Sequence, residues 1–486
     1  MRTRHEGIPP GSASASIVLR AILECGLAGQ HDAMIPSPIA LLILAAGTLA
    51  STAYLPHWLL CFCLLGATEA IALPALGGSS VVPGPAFLPF LLVRTLRERG
   101  RLFTLRRVAR PIFWGWALAL WGALAAFFLP QIFAGDVLVM MNDRSTSTGV
   151  SLIPLRPMSG NLVQLVYLVG GTVGMTCIRS LLHTEARRDH FADAVLLVGT
   201  LNAVATVLNI TTFYLHLPDL LTPIKTANYA IQTPRMGAAG LLRLQGTFPE
   251  PSTYSGFTLP IFTYCLSLWM HRYRPVYSGS LALLSLIFLA ISTSGTAYVA
   301  LTLYMVVWLG HVAWKGFAKN ETRHTVLTVV GTTALATVLM AILIFLPAVV
   351  ERIWHFLDVS VFSKAASKSG AERAAWNAQA WQNFLDSYGF GLGVGAARAS
   401  SFPLAVLSNV GAVGMALMCT FIASVARTQA VSGEPLSPPV AAARQAMLAA
   451  LLAVTVSGTV MTPDLMFYTY AGVAASRVRA PGAPSG

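Results

Sequence analysis

Long apolar runs follow one another along almost the whole chain, and they limit its fold more than any other feature. Hydrophobic residues make up 55% of the 486 residues, charged residues only 10%, and the mean hydropathy is +0.66. So little polar surface excludes a soluble globule of this length. Runs of roughly 17 to 25 apolar residues cross a bilayer as helices, because a helix satisfies its own backbone amides in hydrocarbon. The sequence therefore predicts an all-α, polytopic integral membrane protein with about twelve transmembrane helices.

These runs predict one membrane-embedded domain at 34–478. A cytoplasmic tail at 1–33, expected to be disordered, precedes it, and a short C-terminal tail at 479–486 follows it. The predicted segments are 38–55, 57–74, 81–93, 111–129, 161–178, 191–213, 253–270, 279–292, 296–313, 325–348, 402–425, 445–460 and 465–477.

The beginning of the chain leaves its topology open. If the first three segments all span, the N-terminus falls outside, although its arginines favour the cytoplasm. Three alternatives remove this conflict: one segment is re-entrant near 77–85, the weak stretch 16–29 also inserts, or translation starts at Met34.

Lysine and arginine set the orientation, because cytoplasmic loops keep the positive charge. Seven arginines between residues 94 and 110 place the loop before the fourth segment in the cytoplasm. Alternation then puts three longer loops on the other face, near 130–160, 214–252 and 349–401. The net charge of +13 therefore reports topology. Nucleic-acid binding is not expected, because the basic loop offers only Phe103 as an aromatic platform.

Cysteine and histidine usage argues against a metal site or a disulfide framework. All six cysteines lie in predicted spans or in the N-terminal tail, away from the three outer loops. No Cys/His spacing resembles a metal site. We therefore expect neither a metal nor a cofactor, and any chemistry is left mainly to side chains of the outer loops.

The segment RLQGTFPEPS, from Arg243 to Ser252, places two opposite charges in a Gly/Pro-punctuated loop just before an apolar span. Guanidinium groups bind phosphate bidentately and keep their charge, so Arg243 and Arg235 are candidates to bind a pyrophosphate. Glu250 lies between two prolines that fix its backbone, and its carboxylate suits a general base. Ser252 is the predicted N-cap of the next helix. Two simpler roles remain open: an ion pair between Arg243 and Glu250, or a carboxylate that favours the helix dipole.

The longest outer loop, near 349–401, is predicted to contain a helix lying along the membrane surface. Ser369 and Glu372 have capping-box spacing, and an apolar stripe follows at helical intervals. Trp381 beside that stripe suits either stacking on a sugar ring or anchoring at the interface. Arg373 on the same helix is a further substrate-binding candidate.

Four glycines at alternate positions, Gly389 to Gly395, follow this helix. They follow no strand, so they do not form a dinucleotide-binding fingerprint. The run predicts a flexible turn that brings Arg398 back over the bilayer. Ser400, two residues later, completes the substrate-binding candidates.

Three features occur in order along the chain: RLQGTFPEPS, the serine-rich turn at 292–295, and an outer loop that ends in the glycine run, Arg398 and NVGAVG. Together they resemble the Wzy/O-antigen polymerase and ligase superfamily. The likeness covers roughly residues 160–475 and is closest to exopolysaccharide polymerases. It implies a metal-independent, inverting glycosyltransferase that uses undecaprenyl-diphosphate-linked oligosaccharides on the periplasmic face of the bacterial inner membrane. The diphosphate-binding arginines of the family would be Arg243 and Arg398, with Arg235 in addition.

Ser400 departs from the ligase pattern. O-antigen ligases carry a histidine about eleven residues before the first glycine of Gly-x-x-Gly, which is Gly411 here. Its absence favours a polymerase and leaves Glu250 as the base. The expected partners are the bilayer, the lipid-linked oligosaccharide, a chain-length regulator and export machinery. The alternatives are a ligase that transfers finished glycan to lipid A core or protein, and a lipid-linked oligosaccharide flippase.

Overall fold

The computed structural model describes residues 35–73, 79–100, 109–142, 150–228, 231, 236, 242–318, 326, 329, 368–428 and 436–476. These residues are mostly helical, with short strands in two small sheets. The helices are α1 (Pro38–Leu49), α2 (Leu55–Leu64), α3 (Pro83–Arg99), α4 (Arg110–Ile132), α5 (Ser159–Leu181), α6 (Glu185–Tyr214), α7 (Pro251–Met270), α8 (Pro275–Ile291), α9 (Gly295–Ala318), α10 (Lys368–Asp386), α11 (Phe402–Ala426), α12 (Pro438–Ser457) and α13 (Leu465–Ala474). The strands are β1 (Ile35–Pro36), β2 (Ile71–Leu73), β3 (Ser79–Val81), β4 (Leu138–Asn142) and β5 (Val150–Pro154).

Six of the described helices, α4, α5, α6, α9, α11 and α12, are long and apolar enough to cross a membrane. They confirm a multi-pass, mainly helical membrane protein. The apolar helices α1, α2, α8 and α13 are shorter. Apart from residues 326 and 329, the segment predicted at 325–348 lies outside the described residues, as do both predicted tails. The count of about twelve spans therefore stays a prediction.

The first two helices form a short hairpin whose ends meet at one small sheet. β2 pairs antiparallel with β1, with Ile35 opposite Ala72, and with β3 on its other side. At the tip of the hairpin, the Arg94 guanidinium on α3 donates to two carbonyls at the end of α1. The helices have 12 and 10 residues, so each rises less than about 20 Å, short of a hydrocarbon core of about 30 Å. The first two predicted segments are thus one hairpin that turns back at 50–54.

The arginines predicted to face the cytoplasm gather at one end of the helical bundle, which we name the basic end. Arg187 Nη2 lies 2.8 Å from Glu98 Oε1, and Arg274 Nη2 lies 2.9 Å from Asp193 Oδ2, so α3, α6 and α8 meet there. The beginning of α4 and the ends of α5 and α11 surround a shared cavity at this end. The opposite end, where α5 and α7 begin and α6 ends, is named the cavity end. The arginines of the basic end include Arg97, Arg99, Arg110, Arg179, Arg187, Arg272, Arg274 and Arg427.

This separation predicts that the two ends face opposite sides of the membrane. Arg156, just before α5, and Arg272, just after α7, are both exposed, at the cavity end and the basic end respectively. The test uses cells that express Arg156→Cys or Arg272→Cys, each with Cys25 and Cys419 replaced by alanine. A membrane-impermeant maleimide added to intact cells should label only the Arg156→Cys variant. Arg272→Cys should be labelled only after permeabilisation. Labelling of both variants in intact cells would contradict this topology.

Candidate functional site

A cavity of about 1270 Å³ lies among α3, α5, α7 and α12. It exceeds the roughly 300–1,000 Å³ of an ordinary ligand pocket. Its walls are mainly apolar and include Leu88, Leu92, Val169 and Phe257. Its polar wall includes Ser80, Gln164, Asn228, Glu250, Arg398 and Asp464. A large apolar volume with a few charged groups is suited to an amphipathic ligand.

The loop that leads to Glu250 is held rigidly by neighbouring elements, as its glycine and prolines predict. The side-chain oxygen of Asn209 on α6 accepts hydrogen bonds from the amides of Gln245 and Gly246, at 3.2 and 3.3 Å. The Leu244 amide donates to the Ser292 carbonyl at 3.3 Å. The backbone of this loop is therefore fixed relative to α6 and to the end of α8.

Glu250, and not Ser252, is the N-cap of α7. The helix begins at Pro251, and Glu250 has an extended backbone with φ −153° and ψ 159°. A proline is favoured at the first helical position because its φ already fits and its missing N–H needs no partner. Ser252 lies inside the first turn, where its hydroxyl donates to Glu250 Oε1. The predicted cap is thus wrong by two residues. The residue at the N-cap position is Glu250, whose carboxylate makes no capping hydrogen bond and lines the cavity near the positive end of the helix.

The glycine run is a packed turn, not the flexible one predicted. Gly391 and Gly411 have φ of +83° and +66°. A Cβ on Gly411 would lie 2.3 Å from the Gly389 carbonyl oxygen, and one on Gly391 would lie 2.6 Å from the Asn409 carbonyl carbon. Only glycine allows both the positive φ and the close contact between these backbone segments. The run therefore packs against a kink in α11, where Gly411 leaves helical geometry.

Asn409 on α11 fixes the backbone next to Arg398. Its Nδ2 donates to the carbonyls of Ala397 and Ala405, both at 2.7 Å, and its Oδ1 accepts from the Ala397 amide at 3.4 Å. On the other side, the Ala399 amide donates to the Thr459 carbonyl at 3.4 Å. The backbone on both sides of Arg398 is therefore fixed by hydrogen bonds, one of them to Thr459 of the cavity wall.

The Arg398 guanidinium lines the cavity without an acidic partner in the part of the chain that the structure describes. Desolvation by the surrounding protein lowers the pKa of Arg398 from its ordinary value. An arginine still keeps its charge at working pH. Its side chain is exposed where it lines the cavity, so its guanidinium is suited to bind phosphate there.

The structure brings Glu250 and Arg398 to one cavity but not the other predicted residues that it describes. Arg243 lies at the cavity end, beside the loop fixed to Ser292, and is not among the residues that line the cavity. Arg235 lies outside the described residues. The described candidates that do not line this cavity are Arg243, Arg373, Trp381 and Ser400.

The structure has a helix, α10, where one was predicted within 349–401, and the placement of this stretch in an outer loop stays a prediction. The helix begins at Lys368, one residue before the predicted capping serine. Trp381 and Arg373 are exposed on it, and its Asn377 accepts a hydrogen bond from the Ser400 amide at 2.8 Å. Ser400 thus helps to seat α10 through its backbone.

Asp464 is a cavity residue that the sequence did not single out. It is the N-cap of α13, where its Oδ1 accepts from the Phe467 amide at 2.9 Å. Because α13 has 10 residues, it rises only about 15 Å from the basic end, which places Asp464 near the middle of a hydrocarbon core. The available signal was an aspartate opening a short apolar run, which is a usual N-cap pattern. An ionisable group at this depth is costly and usually functional.

Comparison with known proteins identifies no relative. No family model, no curated protein and no solved structure matches this chain. The functional argument therefore rests on the cavity and its side chains.

The packing of the glycine turn predicts a specific loss of stability. Gly411→Ala should lower the thermal unfolding midpoint of the purified protein, because strain of about 1–3 kcal/mol at its φ of +66° adds to the clash with Gly389. Gly310→Ala is the matched control, since no atom lies within 4 Å of the place that its added methyl group would take on α9. It should be neutral or stabilising by up to about 1 kcal/mol. Equal midpoints for the two variants would show that the turn is not tightly packed.

Proposed function

We propose that this protein is a membrane glycosyltransferase that joins undecaprenyl-diphosphate-linked oligosaccharide units into a polysaccharide. One observation carries this proposal: the Arg398 guanidinium and the Glu250 carboxylate line the same large, mainly apolar cavity. The resemblance of the loop motifs to the Wzy/O-antigen superfamily supports the same function. The lipid chain would occupy the apolar wall, and the sugars would project toward the cavity end.

Arg398 would bind the diphosphate of the donor. A guanidinium forms bidentate hydrogen bonds with phosphate oxygens and stabilises the negative charge that develops on a departing diphosphate. Its position is set by the bonds of Asn409 on one side and Thr459 on the other. A fixed cation needs little reorganisation when the bond to the sugar breaks.

Glu250 would act as the general base. A hydroxyl of the acceptor sugar attacks the anomeric carbon of the donor, a new C–O bond forms there, and the bond to the diphosphate oxygen breaks. The hydroxyl proton passes to the Glu250 carboxylate, and the electron pair of the broken bond stays on the diphosphate. One displacement inverts the anomeric centre. The Ser252 hydroxyl, which donates to Glu250 Oε1, orients the carboxylate.

Two other functions use the same ligand chemistry. A ligase would need its acceptor activated by the histidine that this chain replaces with Ser400, whose backbone bonds to Asn377. A flippase would carry charges at the middle of several spans. The described cavity has one such charge, Asp464, while Glu250 and Arg398 lie in loops at the cavity end. Polymerisation therefore remains the better supported of the three.

Cells that carry Arg398→Gln at normal membrane levels should lose the polymer. Loss of a guanidinium that stabilises developing charge should slow transfer by about 10²-fold or more, so single lipid-linked units should accumulate on the outer side of the membrane. Arg156→Gln is the matched control, since it removes an exposed arginine at the same end outside the cavity. Polymer stranded on its lipid carrier would instead indicate a ligase, and units trapped inside would indicate a flippase. Normal polymer length and yield in Arg398→Gln would refute the site.

The roles of the Glu250 and Asp464 carboxylates can be separated by measuring the turnover of purified protein with a defined lipid-linked repeat unit. Glu250→Gln should lower the turnover rate by about 10²–10⁴-fold, the usual contribution of a general base. Asp464→Asn should keep its turnover, because asparagine is also a good N-cap. The Asp464→Asn variant should also reach half its maximal rate at a lower substrate concentration, since removal of one negative charge weakens the repulsion of the diphosphate. Loss of turnover in Asp464→Asn alone would assign the base to Asp464.

A further inference from the structure

A second cavity, of about 680 Å³, lies at the basic end, between the beginning of α4 and the ends of α5 and α11. Three arginines from three different helices line it, together with one tryptophan and the hydroxyl residues of the last turns of α11. No aspartate or glutamate is among the described residues that line it. The lining residues used below are Arg110, Arg179, Arg427, Trp114, Ser424 and Thr428.

Two of these arginines are exposed and have no partner among the described residues. Arg110 is the first residue of α4, and Arg427 follows the last residue of α11. The third, Arg179, donates from Nε to the Ala475 carbonyl at 3.2 Å, which orients its side chain. Ser424 donates to the Phe421 carbonyl at 2.7 Å, so Arg110 and Arg427 are left as the donors that can reach a ligand.

The arrangement concentrates positive charge where the protein itself does not neutralise it. A cation such as Arg110 at the beginning of a helix opposes the positive end of the helix dipole. Two more arginines beside it add mutual repulsion. A bound anion would remove both costs, and guanidinium groups are the preferred donors for phosphate oxygens.

The position of the cavity identifies the source of that phosphate. It lies at the end of α4, at the depth where basic side chains and tryptophans meet lipid headgroups. From there, α4 exposes an apolar face that includes Phe113, Leu120 and Leu124. An acyl chain can lie along this face while its headgroup reaches the arginines. A free phosphate would make no use of it.

We propose that this cavity binds the headgroup of an anionic membrane phospholipid, with its phosphodiester on Arg110 and Arg427 and its acyl chains along α4. The site is separate from the cavity at the other end of the bundle and does not depend on the function proposed for that cavity. Occupancy joins α4, α5 and α11. Helices α4 and α11 are also joined where the Trp121 indole donates to the Val410 carbonyl at 2.8 Å.

The test uses the full chain purified in a neutral detergent. Thermal unfolding is followed with added phosphatidylglycerol, with phosphatidylcholine, and with inorganic phosphate at matched concentration. Phosphatidylglycerol should raise the unfolding midpoint, and the other two should not. Native mass spectrometry of the unmodified protein should show retained phosphatidylglycerol in preference to phosphatidylcholine, which tests the lipid preference without any substitution.

Paired substitutions locate the site. Arg110→Gln with Arg427→Gln should require about tenfold more phosphatidylglycerol, or more, for half of the stabilisation. Arg97→Gln with Arg272→Gln removes the same charge from exposed positions of the same end outside the cavity, and should respond like the parent. Should the first pair not fold, each single variant is measured and should give a partial loss. An equal response of both pairs, an equal midpoint shift with phosphatidylcholine, or an equal shift with inorganic phosphate overturns the proposal.

Discussion

Every backbone polar group near hydrocarbon needs a partner, and the site of this protein depends on how its irregular segments meet that requirement. Two buried asparagines supply the partners from helices. Asn209 on α6 bonds two consecutive amides in the loop that leads to Glu250. Asn409 on α11 bonds both backbone groups of Ala397, next to Arg398. The backbones that carry Glu250 and Arg398 are thus each positioned by an amide side chain on a helix, and not by the loop alone. An asparagine suits this role because its side chain both donates and accepts.

The kink in α11 serves the same requirement. Gly411 interrupts the helix, and the glycine turn packs against it, with the Leu392 and Gly393 amides donating to the Ser408 and Asn409 carbonyls at 2.9 and 2.8 Å. The Val410 carbonyl accepts from the Trp121 indole on α4 at 2.8 Å. An unpartnered carbonyl in hydrocarbon would cost several kcal/mol. The kink, the turn and Arg398 therefore form one packed unit across α4 and α11, in which no member can change alone.

Helix positions could be predicted from the sequence, and loop conformations could not. The apolar run predicted at 402–425 is the helix Phe402–Ala426, because hydropathy and helix length depend on local residues alone. The rigid turn at 389–395 depends on contacts with Asn409 and with helices distant in sequence, which no local pattern reveals. The cap at Glu250 was missed because serine is the commoner cap, while Pro251 in fact sets the first helical position. Asp464 was missed because its depth follows only from the short length of α13.

The charges of the cavity set a condition on its proposed substrate. Arg398 contributes one positive charge, and Glu250 and Asp464 contribute two negative charges when ionised. A diphosphate brings at least two more negative charges, which repel the two carboxylates. Binding therefore requires either a proton on Asp464 or a second guanidinium. Arg243 lies at the same end, on the loop whose Leu244 amide bonds to Ser292, although it is not among the residues that line the cavity. The two routes differ in where the compensating charge resides: deep in the cavity beside the lipid chain, or at its mouth beside the phosphates. Only the second would place the charge next to the bond that breaks, where it would aid both binding and transfer.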